Sequence, residues 1–156
     1  MCFDRIDWHY EEARKKYREV QKKGGGPLTE EEEEEVARRA GNHIGFFLTW
    51  IIRRGFAGEL HQELPQALED VKTGKMLGVD FFQKYCDGKL WDEDLCPEIL
   101  PFAEKYYGGS QYLREYTGWV LNGLCDLPLE FVGSWEDYLQ FEPLLDRAYR
   151  DFLERQ

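Results

Sequence analysis

The stretch Val36–Gly55, VARRAGNHIGFFLTWIIRRG, constrains the fold more than any other part of the chain. Val36, Ala40, Ile44, Phe47 and Ile51 recur at three- and four-residue steps, the period of one helix face. Thr29 and Glu32 have capping-box spacing ahead of it, and Gly55 can end it. The apolar run IGFFLTWII is far shorter than the roughly 20 residues that a membrane-spanning helix needs, and Arg53-Arg54 follow it at once. A helix this apolar has to be buried by the rest of the protein, so the chain is expected to build around it.

The other segments read as helices that can do so. Residues 7–23 form an expected helix, with Asp7 as its cap and Trp8, Ala13, Tyr17 and Val20 as its buried stripe. GGGP at 24–27 breaks it. Further helices are expected over 65–74, which Pro65 opens, and over 78–86, 101–107 and 110–124. An Asp-Gly turn falls at 87–88, and irregular or short extended structure at 125–133. Ser134 and Asp137 cap a last helix, which Pro143 is expected to split or kink. The fold class that follows is mainly α: one multi-helix domain over residues 1–156, with little or no β-structure. The Gly-rich break and glutamate run at 24–35 read as an insertion, and the six glutamates as a solvated first turn.

Charge narrows the function. The 156 residues carry a formal net charge of −11. Residues 1–26 are slightly basic, so the acidity lies in the remainder. Such a surface repels phosphate backbones, which argues against nucleic acid binding, and it attracts basic partners. The N-terminus has acids where an export signal would have its apolar segment, so a cytoplasmic location and reduced cysteines are expected. The four cysteines form no CxxC pair.

Candidate chemistry centres on the histidines. On a helix, His43 shares a face with Phe47, near Ala40 and Trp50. Its first reading is a core histidine with a structural hydrogen bond. Its second is a pocket formed by Asp7, His9, His43 and Trp50. Asp7 and His9, two positions apart, do not face each other on one helix. HxH, HExxH, nucleophile-elbow and phosphate-loop motifs are missing, so no metal, cofactor or catalytic residue is expected from spacing. A different signal lies between Arg114 and Arg147, an interval without Lys or Arg but rich in acids and aromatics. Asp126, Glu130, Trp135, Glu136, Asp137 and Tyr138 are expected to form a protein interface there, with aromatics as anchors and acids as steering charges.

Several stretches together resemble a small bacterial domain family of unknown function. They are DRIDWHY, NHIGFFLTWIIRRGF, YCDGKLWDEDL, FAEKYY, YLREY and SWEDYLQFEPLLDRAY. The resemblance covers nearly the whole chain, with KKGGGPLTEEEEEE as a departure. Small acidic families of this kind resemble toxin-immunity proteins. That implies, as an expectation, an antitoxin-like protein that neutralises a cognate toxin, for instance a basic nuclease, by direct binding. The alternatives are a small enzyme or ligand-binding domain around His9 and His43, and a self-associating structural subunit.

Overall fold

The computed structural model describes residues 1–22 and 24–156. A short strand β1 (Cys2–Arg5) leads into α1 (Asp7–Gln21) and the long α2 (Glu30–Arg53). Next come α3 (Pro65–Thr73), α4 (Gly78–Tyr85), strand β2 (Lys89–Trp91), α5 (Leu100–Tyr106), α6 (Gln111–Leu121) and α7 (Trp135–Glu154). Short 3-10 turns at Glu59–Glu63, Asp92–Asp94, Pro97–Ile99 and Pro128–Glu130 link them. The described residues form a mainly α, multi-helix domain with a small sheet that pairs β1 with β2 antiparallel.

The centre is α2. Its start is fixed as the sequence implies. The Thr29 hydroxyl accepts from the Glu32 N–H at 3.1 Å, and the Glu32 carboxylate accepts from the Thr29 N–H at 3.0 Å. Glu30–Glu35 form its first turns, and Glu35 pairs with Arg38 and Arg39. From Ala40 to Ile52 every residue is buried, so the helix exceeds the single apolar stripe read from its periodicity. Burial on all sides needs its polar side chains to be partnered. The Asn42 amide donates to the Tyr116 hydroxyl at 2.7 Å and its oxygen accepts from the Gly133 N–H at 3.1 Å. The Thr49 hydroxyl donates back to the Gly45 carbonyl at 2.7 Å. Close approach to α4 needs Gly45, where an added Cβ would sit 2.5 Å from the Val79 nitrogen.

The last arginine of α2 and the arginine that caps it clip α7 in place. Arg53 meets Glu142 at 2.5 Å, and Arg54 forks onto Asp146 at 2.9 and 2.8 Å. The Trp50 indole donates to the same Asp146 carboxylate at 2.8 Å. On α7, the Ser134–Asp137 capping box forms as expected. Pro143 does not split the helix, which runs unbroken through it. Leu139, four residues earlier, is exposed, so water can take up the carbonyl that loses its N–H partner.

At the N-terminus two expectations fail. Asp7 is not the cap of α1: Ile6 holds that position without a side-chain bond, and the Asp7 carboxylate is taken by Arg5 at 2.9 and 2.7 Å. Trp8 and Val20 are exposed, whereas Ala13 and Tyr17 are buried. The helix ends at Gln21, one turn before the tract GGG; position 23, in the expected helix, lies outside the described residues.

Candidate functional site

Strand β1 places one carboxylate inside the protein. Backbone pairing of Asp4 and Arg5 with Leu90 and Lys89 fixes the strand against β2. Strand alternation then sends Asp4 inward and Arg5 outward. The turn into α1 brings His9 back over the strand, and α2 supplies His43 from below. The Asp4 Oδ1 atom lies 2.6 Å from His9 Nε2 and accepts the Arg5 N–H at 2.8 Å. Its Oδ2 atom lies 2.9 Å from His43 Nε2 and accepts the Tyr107 hydroxyl at 2.6 Å. The two imidazoles meet edge to face, with ring centres 4.7 Å apart.

These four neighbours determine the protonation pattern. Burial alone would raise the Asp4 carboxyl, but the hydrogen bonds from His43 and His9 overcome it and hold the group well below the usual carboxylate range. Burial pushes His43 down, against the pull of Asp4, so its neutral ring is favoured. An ionised carboxylate only accepts, so a neutral ring facing it carries its proton on Nε2. The opposite nitrogen, Nδ1, is then a lone pair. Burial and the nearby Asp4 charge keep the Tyr107 phenol protonated, as a donor must be. Tyr112 adds a brace from α6, its hydroxyl donating to the His43 carbonyl at 2.5 Å.

His9 and His43 form one wall of a cavity of about 330 Å³. Its other walls are Lys16 on α1, Leu113, Tyr116 and Thr117 on α6, and Leu127, Pro128 and Leu129 of the loop before α7. The His9 side chain keeps 24% of its surface open, and His43 only 5%. An apolar chamber with two hydrogen-bonding imidazoles at one end suits a small molecule with an apolar body and a polar group. Each ring can accept a proton or a hydrogen bond at the nitrogen that Asp4 does not use.

The sequence paired His9 with His43, and the structure brings them together. It leaves the other two expected pocket residues out. Asp7 sits at the surface on Arg5, and Trp50 packs against Phe102 and Tyr149 toward α7. Asp4 and Tyr107 are the members that sequence reasoning missed. For Asp4, the signal was its place five residues before His9, just long enough to turn from strand into helix.

The expected interface residues separate. Tyr138 is 2% exposed and donates to Glu142 at 2.8 Å, so it is a core residue and cannot anchor a partner. Glu130 is largely buried and held by Arg39 at 3.3 Å. Asp137 caps α7, and Trp135 stacks on Tyr138 beneath the Arg53 guanidinium. Asp126 and Glu136 are exposed. The interval looks like a charge desert in sequence because its cations, Arg39, Arg53 and Arg54, come from α2 and the residue that caps its end.

A second cluster is sealed in the core. The His61 Nε2 atom lies 2.8 Å from Asp94 Oδ1 and 3.8 Å from the Cys86 sulfur. Asp94 also accepts the Trp91 N–H at 2.8 Å, and His61 Nδ1 is buried without a partner. This group ties the turn at Glu59–Glu63 to α4 and to the end of β2.

The sequence model of one protein family, described as Domain of unknown function (DUF7832), matches residues 2–128. The chain belongs to this family. The DUF7832 span contains Asp4, His9, His43 and Tyr107 and ends before α7. No curated protein and no solved structure matches the chain. Among the described residues, no helix is long and apolar enough to cross a membrane.

Proposed function

We propose that the protein binds a small, largely apolar molecule in the chamber beside His9 and His43. One observation carries this reading: two histidines from different helices converge on one buried carboxylate at the wall of an apolar cavity. A purely structural histidine needs no cavity beside it. Asp4 sets the direction of both rings, leucines from α6 and the 127–129 loop supply the apolar contact, and Lys16 stands at the wall to meet an anionic group. A fragment screen by NMR, following methyl groups of Leu113 and Leu129 and the imidazoles of His9 and His43, tests the reading. Bound fragments should shift these signals together, and Leu113→Trp, which fills the chamber, should abolish the response. Fragments that bind only elsewhere, such as in the groove between α5 and α7 near Lys105 and Phe152, would count against it.

The acidic surface supports a second reading, the binding of a basic protein partner such as a cognate toxin. Here Asp126 and Glu136 are the acids free to steer it. Reversing both charges should slow association with such a partner and flatten its salt dependence. An on-rate indifferent to both changes would remove this reading.

A further inference from the structure

The geometry points to a divalent transition-metal site, of the zinc class, formed by Asp4, His9 and His43. It deepens the ligand-binding reading above, on which it depends only for what the ion would face. Three elements, β1, α1 and α2, each bring one donor side chain, and one donor atom from each lies within 4.8 Å of the other two. Two imidazoles and a carboxylate are a ligand set that suits zinc and its neighbours, and a three-ligand site leaves a position for water or substrate.

Charge supports the same assignment. Asp4 is buried, and its partners among the described residues include no Lys or Arg side chain. The nearest guanidinium in sequence, on Arg5, turns outward to Asp7. A divalent ion neutralises the carboxylate and leaves one positive charge beside the chamber, matched to an anionic ligand group. The partly open His9 gives the ion an entry path.

The change needed is local. The donors now stand 2.6 and 2.9 Å apart through hydrogen bonds. Zinc bonds of about 2.0–2.1 Å in a tetrahedron place neighbouring donors roughly 3.3 Å apart. Each ring passes its Nε2 proton to Nδ1, Nε2 takes the ion, and the rings draw back slightly. Tyr107 remains on Asp4 Oδ2 as the orienting partner.

The His61–Cys86–Asp94 cluster has similar donors but not this capacity. With a metal on His61 Nε2, the proton on Nδ1 would be buried where no acceptor receives it. Its enclosure leaves no route for an ion either: all three residues are buried.

Calorimetry with Zn²⁺ and visible absorption with Co²⁺, on the full chain stripped with a chelator, test the site. The expected result is one ion per chain, a Co²⁺ d–d spectrum without a thiolate charge-transfer band, and at least about tenfold weaker binding in His9→Gln. His9 is partly exposed, so this variant should fold, and a thermal melt checks that. Lys75→Gln, exposed just beyond α3 and outside the chamber, should bind the ion as the parent does. No binding, undiminished affinity in His9→Gln, or a thiolate band marking Cys86 would each overturn the proposal. Fragment binding by the chelator-stripped protein is a separate readout, so either reading can fail without the other.

Discussion

Asp4 reaches across 39 positions of the chain to place its Oδ2 atom 2.9 Å from Nε2 of His43. The same carboxylate holds His9 and Tyr107, so β1, α1, α2 and the end of α5 meet at one side chain. Asp4→Ala should therefore cost about 1–3 kcal/mol for each buried donor left without an acceptor. Urea unfolding checks this: the midpoint should fall well below that of the parent. Arg5→Ala, which loses only an exposed pair, should leave the midpoint close to that of the parent.

Stability should decline in acid, and the two shifts act in the same sense. The His43 ring is pushed below its ordinary 6.5 on folding, so the unfolded chain binds the proton more readily below that pH. Its contribution is complete above pH 6.5 and is lost as pH falls through the lower folded value. The Asp4 carboxyl is pushed below its ordinary 3.8, so its contribution holds above that pH and is lost in stronger acid. Unfolding midpoints measured across this range should fall in two stages, the first of them reduced in His43→Gln.

Two glycines in helices should respond oppositely to alanine. Gly45 touches the α4 backbone, and its methyl would have to move Val79, at an overpacking cost of about 1–3 kcal/mol. Gly118, inside α6, has nothing within 4 Å of an added Cβ. Gly118→Ala should therefore stabilise the protein by up to about 1 kcal/mol through helix propensity. Thermal melts of the two variants, run side by side, give the comparison.

The four thiols should differ in reactivity. Burial, reinforced by the Asp94 charge, pushes the Cys86 thiol far above its ordinary range, and Cys86 is buried in the core. Cys2, Cys96 and Cys125 are only partly buried. Alkylation of the native protein followed by mass spectrometry should modify those three first, and Cys86 only once the chain unfolds.

Features written within a few residues of one another were legible in the sequence. Thr29 with Glu32 and Ser134 with Asp137 marked two helix starts, and both caps form, because a cap is satisfied by its own first turn. The apolar period from Val36 identified α2. What escaped was set by distant pairing. Asp4 lies inside because β1 pairs with Lys89–Trp91, a register that local pattern does not contain. Trp8 looked like a core aromatic, yet α1 turns His9 rather than Trp8 toward the protein. Glu130, Glu142 and Asp146 looked unpaired because their arginines lie some 90 positions earlier.

The arrangement around Asp4 is tested most directly by the tautomers of its two histidines. Long-range ¹H–¹⁵N imidazole spectra of the chelator-stripped protein, above the ordinary imidazole range at about pH 8.5, report which ring nitrogen carries the proton. Both His9 and His43 should be fixed with the proton on Nε2 and a lone pair on Nδ1, and Asp4→Asn should disturb both. A proton on Nδ1 of either ring, or a His9 ring that averages freely between tautomers, would contradict a carboxylate that holds both.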